Sequence, residues 1–403
     1  MIRSGEQSPK FESYFQVQEE TLELGKKGCQ LFIGLPKEDF RFERRIGLTP
    51  DAVKLLVNHG HRIRVETGAG EAAFYTDHDY SEAGAEIAYN TKEVYQADII
   101  FKIAPPNMTE LEYLRPNQTL LSAVQVTPQH KMFYQKLLDK KINAIAFDYL
   151  TDEKGVYPVV RSMGEIAGGT SILIASEYLS NTKGGKGLLM GGISGVPSTE
   201  VIILGAGNAG EFAARAALGL GASVKVFDNS LYRLRRLQND IHTRLYTCVL
   251  QPNILEKHLR RADVVIGAMR PAMQTPCIVT EDMVRRMKPG SVIVDISIDR
   301  GGCFETSELR SHESPTFVKH DIIHYCVPNI SSRVARTASF SLSNIFVPII
   351  LSIAEEGGVK TLIRNDEGVR NGTYIYQGKL THKGMSEMLA LPFTDLRLLL
   401  TAM

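Results

Sequence analysis

The sequence has 403 residues, and its 46 lysines and arginines against 45 aspartates and glutamates leave a formal net charge of +1. Hydrophobic residues make up 43% of the chain and charged residues 23%, as in ordinary globular proteins, which excludes a disordered or fibrous chain. This length predicts two or three domains. The balanced charge lacks the strong positive field that nucleic-acid-binding proteins use, so no nucleic-acid partner is expected.

Cysteine usage and hydropathy indicate where the protein resides. The five cysteines are scattered and form no CxxC pair, which is typical of a reduced intracellular protein without a zinc motif. Residues 1–28 form a polar N-terminal extension without the apolar core of a secretory signal. The longest apolar stretch, 346–354, is shorter than the roughly 20 residues of a membrane span. A soluble, cytoplasmic protein with no membrane segment is therefore expected.

From residue 30, short apolar runs alternate with helix-like stretches. Five runs read as strands, namely 30–36, 61–67, 97–104, 118–125 and 143–150. Two amphipathic stretches read as helices, 50–60 and 129–141. Strands that alternate with helices predict βαβ units and a mostly parallel sheet.

A second series of the same kind follows a helix-compatible segment, 164–181, and a glycine-rich linker, 182–198. Its predicted strands are 201–205, 223–228, 264–269, 291–298 and 322–327, and a further helix is predicted over 339–357. The fold class is therefore predicted as α/β, with two Rossmann-like, doubly wound units whose parallel sheets flank a cleft.

The second unit begins with a dinucleotide-binding pattern. Gly205, Gly207 and Gly210 form GxGxxG directly after an apolar strand and directly before an alanine-rich helix. The first glycine permits a tight turn, the second lets a pyrophosphate approach the backbone, and the third allows close packing of helix on strand. Asn208 and Ala209 lie between these glycines, at the helix N-terminus, where free N–H groups favour phosphate. The order of elements predicts a bound dinucleotide.

An acidic residue selects between the two common dinucleotides. Asp228 ends the next strand, eighteen residues after Gly210. A carboxylate there accepts hydrogen bonds from the ribose hydroxyls and repels a 2′-phosphate, which predicts NAD rather than NADP. Arg233 is a candidate to flank the adenosine, although a solvated arginine on a helix face is the alternative explanation.

Several segments together resemble the alanine dehydrogenase family, which is related to the NAD-binding subunit of proton-translocating transhydrogenase. These segments are 34–50, 65–80, 184–197, 205–210, 288–307 and 324–339. The resemblance implies reversible, NAD-dependent oxidative deamination of L-alanine to pyruvate and ammonia by a homo-oligomer, a hexamer or a dimer, with no metal. It also implies a substrate domain formed by 29–160 and 338–403, with an NAD domain at 161–337 inserted into it.

The resemblance also suggests site residues. Such chemistry needs a cation to anchor the substrate carboxylate and a base to activate water for imine hydrolysis. The position of the family's substrate-binding arginine is Arg45, and the aspartate of its IDxGG motif is Asp299. Asn329 resembles the family's cleft asparagine. The simpler alternatives are an exposed loop arginine, a helix-capping aspartate and a turn asparagine, respectively.

Three positions depart from the family pattern. Ala104 occupies the position of the family's catalytic lysine, and Gln125 occupies that of its histidine. Gly164 occupies the position of the family's phosphate-contacting serine. Glutamine forms hydrogen bonds but takes up no proton near neutral pH, and alanine does neither. Lys102 lies two residues before Ala104 and therefore on the same face of a strand, which makes it a candidate replacement.

Other basic residues near the predicted cleft are weaker candidates, namely His130, Arg161 and Arg270. Cys303 and Cys326 are expected to be buried packing residues. Three functions stay open: an alanine dehydrogenase, a dehydrogenase or imine reductase for another amino acid, and an NAD(H)-binding protein that deaminates nothing. The first is favoured because the C-terminal motifs match it best.

Overall fold

The computed structural model describes residues 28–124, 130–270 and 275–401. Its first sheet has eight strands: β1 (Phe32–Leu35), β2 (Arg62–Glu66), β3 (Glu86–Ala88), β4 (Ile99–Phe101), β5 (Thr119–Ser122), β6 (Asn143–Ala146), β14 (Thr373–Tyr376) and β15 (Lys379–Leu380). The second sheet has seven: β7 (Glu200–Leu204), β8 (Ser223–Phe227), β9 (Tyr246–Cys248), β10 (Val264–Gly267), β11 (Val292–Asp295), β12 (Thr316–Lys319) and β13 (Ile322–Tyr325).

Helices connect the strands in both units. Those before β7 are α1 (Pro50–Asn58), α2 (Asp77–Glu82), α3 (Thr91–Val94), α4 (Met108–Tyr113), α5 (Lys131–Asp139) and α6 (Pro158–Leu179). Within the second unit they are α7 (Asn208–Gly219), α8 (Leu231–Ile241), α9 (Pro252–Leu259) and α10 (Glu281–Arg285). Those after it are α11 (Ala335–Glu355), α12 (Val359–Asn365), α13 (Glu367–Gly372), α14 (Lys383–Leu389) and α15 (Leu396–Thr401).

The first sheet is completed by residues from near the C-terminus. Its strand order is β15-β14-β6-β5-β4-β1-β2-β3, and β1 to β6 pair in parallel. Strand β14 adds to β6 in antiparallel fashion and is followed by the short edge strand β15. The chain therefore leaves this sheet after β6, builds the second sheet, and returns.

The second sheet has the order β12-β13-β11-β10-β7-β8-β9 and is parallel except for the edge strand β12. Strands β7, β10 and β11 are nearly fully buried, because helices cover both faces, and such strands read as continuous apolar runs. The predicted fold class, two α/β units with largely parallel sheets, is confirmed.

Most predicted elements are present, with shifted ends. Helix α6 begins six residues before the predicted start, at Pro158, where a proline suits the first helical turn because its missing N–H would have no helical partner. The predicted domain boundaries, 160/161 and 337/338, fall in the first turns of α6 and α11, and they stay predictions.

The C-terminal helix α11 lies in the core of the first unit. Leu342, Phe346 and Ile350 belong to its hydrophobic cluster, and the Phe346 ring packs edge-on against Phe101 and Phe147. Over the described residues, one helical stretch, Ile330–Glu355, is long and apolar enough to span a membrane by length and composition, with 44% of its apolar window buried. A core helix meets the same criterion.

Helix α6 packs closely on α7 in the core of the second unit. A Cβ at Gly168 would lie 2.2 Å from the Ala209 carbonyl oxygen, so only glycine permits this approach.

Cys303 and Cys326 are both fully buried, as expected for packing residues.

Candidate active site

A cleft of about 1750 Å³ lies where the carboxyl ends of both sheets face each other. It is lined on one side by residues that follow β1, β4 and β6, and on the other by residues that follow β7, β8, β10, β11 and β13. Ligands of open α/β sheets bind at such strand ends, near the point where the strand order reverses. Single-ligand pockets are usually about 300–1,000 Å³, so this cleft has room for a dinucleotide and a small substrate together.

The glycine-rich loop between β7 and α7 has the geometry that its sequence predicts. Gly205 has a φ of +113°, and a Cβ there would lie 2.6 Å from the Ala268 carbonyl oxygen. A Cβ at Gly210 would lie 1.9 Å from the Gly205 oxygen. Gly207 faces open space and caps α7 without a side-chain hydrogen bond. The backbone N–H groups there can therefore donate hydrogen bonds to phosphate oxygens. This cradle fits a dinucleotide pyrophosphate.

Asp228, at the end of β8, is buried beside this loop. Its Oδ2 accepts the Ala206 backbone N–H at 2.7 Å, and its Oδ1 accepts the Ser230 N–H at 2.7 Å. The carboxylate therefore holds the turn in place and faces the cleft with its remaining lone pairs. Arg233 lies 3.9 Å from Asp228 and is half exposed, which places it at the same end of the cleft.

Helix α6 contributes one wall of the cradle through Gly164. A Cβ at Gly164 would lie 3.6 Å from the Ala209 nitrogen and 3.7 Å from the Asn208 Cβ, at ordinary van der Waals distances. The position of the family's serine thus faces the N-terminus of α7, although here it has no side chain.

Arg45 is buried in the opposite wall and paired with Glu43. Its Nε and Nη2 donate to the two carboxylate oxygens of Glu43 at 2.8 and 2.7 Å. Burial disfavours the charged form of Glu43, but the Arg45 guanidinium outweighs burial and holds the pKa of Glu43 below its usual range. The same pairing raises the pKa of Arg45 against the opposing effect of its own burial. The exposed loop arginine that the sequence also allowed is therefore excluded.

Asn329 connects this pair to Asp299. Its side-chain Nδ2 donates to Glu43 Oε2, and its backbone N–H donates to Asp299 Oδ1 at 2.8 Å. Asn329 has a φ of +56°, a left-handed conformation that asparagine tolerates better than most residues. Arg45, Asn329 and Asp299, which are far apart in sequence, are thus brought together in one cleft.

Asp299 lies in a 3₁₀ turn that directly follows β11. Burial raises its pKa, while the Asn329 N–H and the charges of Arg270 and Arg45 act in the opposite direction. Arg270, after β10, lies 3.9 Å from Asp148, which follows β6 on the opposite wall. The charge of Asp148 in turn acts to raise the pKa of Arg45 and the pKa of Asp299. Asp148, Asp299, Arg45 and Arg270 therefore form one charged group in the cleft, beside the Glu43 carboxylate.

Lys102 lies in a second buried cluster of charges in the same wall. Its Nζ donates to Glu38 Oε2 at 2.8 Å and lies 3.6 Å from Glu110 Oε1. Glu38 Oε1 also accepts the N–H groups of Ile103 and Ala104. Burial, with a smaller effect of the Glu43 carboxylate, raises the pKa of Glu38 to about 7. The two glutamates raise the pKa of Lys102 against the effect of its burial, and so favour its charged form.

The remaining residues that the sequence suggested for the site lie in different places. Gln125 lies outside the described residues. His130 lines the cleft, at the start of α5. Arg161 pairs with Glu165 one turn along α6 and is mostly exposed. Over the described residues, no group of three or more histidines, cysteines, aspartates or glutamates is placed to hold a metal.

Four cleft residues were missed by sequence reasoning, namely Glu38, Glu43, Asp148 and His312. Glu38 and Glu43 follow the first strand, so their place at a strand end was the signal that could have found them. The His312 Nε2 is buried with no hydrogen-bond partner in the part of the chain that the structure describes, and burial lowers the pKa of this imidazole. A neutral imidazole can accept a proton.

Comparisons with known proteins agree with this geometry. The family models "Alanine dehydrogenase/PNT, N-terminal domain" and "Alanine dehydrogenase/PNT, C-terminal domain" match residues 34–167 and 171–383. Alanine dehydrogenase 2 of Staphylococcus aureus strain USA300 is 38% identical over 357 residues, which cover 88% of this chain and 95% of the relative.

Solved structures show the same fold. An L-alanine dehydrogenase superposes with a TM-score of 0.84 at 32% identity, over 89% of this chain and 99% of that one. A transhydrogenase from Sinorhizobium meliloti superposes with a TM-score of 0.74 at 22% identity, over 87% of this chain and 99% of that one, which is a likeness of fold. On the sequence matches together with the cleft geometry, this chain belongs to the alanine dehydrogenase/PNT family.

Proposed function

We propose that this protein catalyses the reversible, NAD-dependent oxidative deamination of L-alanine to pyruvate and ammonia. The observation that carries the proposal is that one cleft contains both the glycine-rich cradle and the group formed by Arg45, Asn329 and Asp299. Membership of the alanine dehydrogenase/PNT family, at 38% identity to a relative named for this activity, supports it.

The cradle at the start of α7 would hold the cofactor, NAD, which supplies the hydride acceptor when bound. Gly205, Gly207 and Gly210 shape the loop, and the backbone N–H groups at Asn208 and Ala209 would face the pyrophosphate. Asp228 would accept the ribose hydroxyls, and Arg233 would flank the adenosine end.

Asp299 is the proposed acid–base residue. Its buried carboxyl has a raised pKa, so its protonated form is more accessible near neutral pH than that of an exposed aspartate. The Asn329 N–H donates to Oδ1 of Asp299 and so fixes the orientation of this carboxyl group. Its other oxygen, Oδ2, would then exchange a proton with the substrate. Arg45, on the opposite wall, and Asn329, on the same wall as Asp299, would orient the substrate.

The departures at Ala104 and Gln125 keep two alternatives open. A dehydrogenase or imine reductase for another amino acid is supported by Ala104, which lines the cleft where the family has a lysine. An NAD(H)-binding protein without deaminase activity would also lack these groups. Lys102 is held by Glu38 and Glu110, and we propose that it chiefly stabilises the cleft wall; a catalytic role for it stays a prediction.

The test is NADH consumption by the purified protein with pyruvate plus ammonium, beside a panel of other 2-oxo acids and amines. Turnover with pyruvate is expected. Turnover with a different acid alone would transfer the proposal to that substrate. NADH binding without turnover on any of them would favour the binding-only alternative.

We also propose the domain division 29–160 with 338–403, and 161–337, which the pairing of β14 with β6 supports. A homo-oligomer, a hexamer or a dimer, in the cytoplasm is proposed by analogy with the family. Light scattering of the purified protein would test the assembly, and cell fractionation would test the location.

A further inference from the structure

We propose that Asp295 is a positioning residue, which holds the carboxyl group of Asp299 in place in the cleft. The inference rests on the proposed function, since it takes Asp299 to be the acid–base residue of that reaction. Asp295 is the last residue of β11 and lies four positions before Asp299. Because Asp295 is 1% exposed, it would act on the reaction through the turn that follows it.

Both carboxylate oxygens of Asp295 accept hydrogen bonds from the chain around Asp299. Oδ1 accepts the Ser297 backbone N–H at 3.0 Å, two residues before Asp299. Oδ2 accepts the backbone N–H of Cys303 at 3.0 Å and the hydroxyl of Ser307 at 2.6 Å, both after Asp299 in the chain. Asp299 therefore lies in a loop whose two ends are fixed to one carboxylate.

This arrangement exceeds what a helix cap requires. A capping aspartate needs one oxygen to accept a free N–H group at the start of a helix, as Oδ1 of Asp295 does for the 3₁₀ turn Ile296–Arg300. Oδ2 instead binds residues beyond that turn, and two glycines leave room for the carboxylate. A Cβ at Gly267 would lie 2.5 Å from Oδ1, and a Cβ at Gly302 would lie 2.6 Å from Oδ2. The surrounding chain is thus shaped to admit a buried carboxylate whose second oxygen closes the loop.

The turn is also connected to the neighbouring loops of the cleft. The Ser297 hydroxyl oxygen accepts the Met269 N–H at 2.9 Å, which joins the turn to the loop after β10. Asp299 Oδ1 accepts the Asn329 N–H at 2.8 Å, which joins the turn to the loop after β13. Strands β10 and β13 lie on either side of β11 in the sheet. Asp299 is therefore supported from both sides, and Asp295 fixes the turn between these supports.

Replacement of one Asp295 oxygen should displace Asp299. Proton transfer requires a carboxyl group within hydrogen-bonding reach of the substrate, and a misplacement of about 1 Å can lower a rate about 100-fold. Asp295→Asn keeps the size of the side chain but replaces an acceptor oxygen with an NH2 group. Whichever oxygen is replaced, that NH2 group faces the backbone N–H of Ser297 or of Cys303. The turn must then shift, and Asp299 shifts with it.

The experiment is a double-mutant cycle on the full-length protein, with kcat measured at saturating pyruvate, ammonium and NADH. Asp295→Asn should lower kcat about 10- to 100-fold, whereas KM for pyruvate and for NADH should change by a smaller factor. Added to Asp299→Asn, the same replacement should cause no further loss of kcat, because residues that act as a unit have non-additive effects. A purely structural role would lower kcat by the same factor in both backgrounds, and this result would overturn the inference.

Two further variants guard against a general defect in folding. Ser307→Ala removes only the hydroxyl that donates to Oδ2 of Asp295, so it should lower kcat by a smaller factor, and again only where Asp299 is present. Asp263→Asn is the matched control. Asp263 is 6% exposed and accepts the Glu200 N–H at 2.9 Å, at the opposite end of the same sheet. This control should retain the wild-type kcat, and a loss equal to that of Asp295→Asn would contradict the inference.

Hydrogen exchange separates this inference from the proposed function, since it needs no turnover. The Asn329 N–H, which donates to Asp299, should exchange about 10-fold faster in Asp295→Asn than in the wild type, as for the loss of one hydrogen bond. Mass spectrometry of peptides that contain Asn329 measures this rate. Faster exchange in a protein that turns over no 2-oxo acid would mean that the function fails and the positioning stands. Turnover of pyruvate by the wild type, with kcat and exchange unchanged in Asp295→Asn, would mean that the inference fails and the function stands.

Discussion

The carboxylate of Glu43 accepts a hydrogen bond from the side-chain amide of Asn329, across 286 positions of sequence. Glu43 belongs to the loop after β1, and Asn329 to the loop after β13. The same carboxylate pairs with Arg45, while the Asn329 backbone holds Asp299. Both walls of the cleft are thus joined through one buried glutamate, and its replacement should lower the free energy of unfolding.

Glu43→Gln should lower the free energy of unfolding by about 3 kcal/mol, because a buried arginine would lose its charged partner. Urea denaturation of the purified variant measures this loss. Glu86→Gln is the matched control, since Glu86 pairs with Arg62 and Arg64 but is 42% exposed. The control should cost less than about 1 kcal/mol. Equal losses of unfolding free energy in both variants would contradict the expectation that the buried ion pair contributes more than the exposed ones.

Gly164→Ser should be tolerated and should strengthen NADH binding several-fold. Its Cβ would meet the Ala209 nitrogen at 3.6 Å, and its hydroxyl would face the pyrophosphate cradle. Fluorescence titration with NADH measures the effect. Gly168→Ser, one turn further along α6, should instead disrupt the fold, because its Cβ would lie 2.2 Å from the Ala209 oxygen. Weaker NADH binding in a well-folded Gly164→Ser variant would argue against this view of the cradle.

Asp228→Ala should weaken NADH binding about 10-fold or more and reduce the discrimination against NADPH. The carboxylate would no longer accept the ribose hydroxyls or repel a 2′-phosphate. Dissociation constants for both cofactors measure the change, and their ratio corrects for any general loosening of the turn that Asp228 also holds. Unchanged affinity for both cofactors would refute the proposed role of Asp228.

Restoring the family's groups tests whether their loss limits the reaction. Gln125→His, alone and combined with Ala104→Lys, should raise kcat with pyruvate and ammonium, since each adds an ionisable group that the chain lacks. Initial rates at saturating NADH measure the gain. Variants that bind NADH normally but show no gain would mean that other groups, such as Asp299, already supply the chemistry.

Glu38 should make stability depend on pH. Burial raises its pKa in the folded protein to about 7, above the ordinary value near 4.5. A carboxyl with a raised folded pKa contributes stability at low pH, and this contribution is lost as the pH rises from about 4.5 through 7. The urea midpoint of the wild type should therefore fall relative to that of Glu38→Gln between pH 5 and pH 8. Parallel profiles for the two proteins would contradict the raised pKa.

The glycine-rich loop and the strands beside it could be predicted because their signals are local. Strand, glycines, helix, strand and acid follow each other directly from Val201 to Asp228, and strands covered on both faces appear as apolar runs. The missed strands include the short edge strands β12 and β15 and the buried strand β14. The return of β14 to the first sheet leaves no local signal, since it depends on pairing with β6, more than 200 residues away.

The sequence alone determined the two α/β units and the dinucleotide cradle, whereas Arg45, Asp299 and Asn329 were suggested by the resemblance to a known family. Sterics and the periodicity of apolar residues act over a few neighbours, so a linear pattern records them. The tertiary structure alone decided that Arg45 is paired with Glu43, that Lys102 lies between two glutamates, and that Arg270 faces Asp148. Most of these partners lie on different loops, and the burial that sets their energies exists only once the sheets have brought the strand ends together.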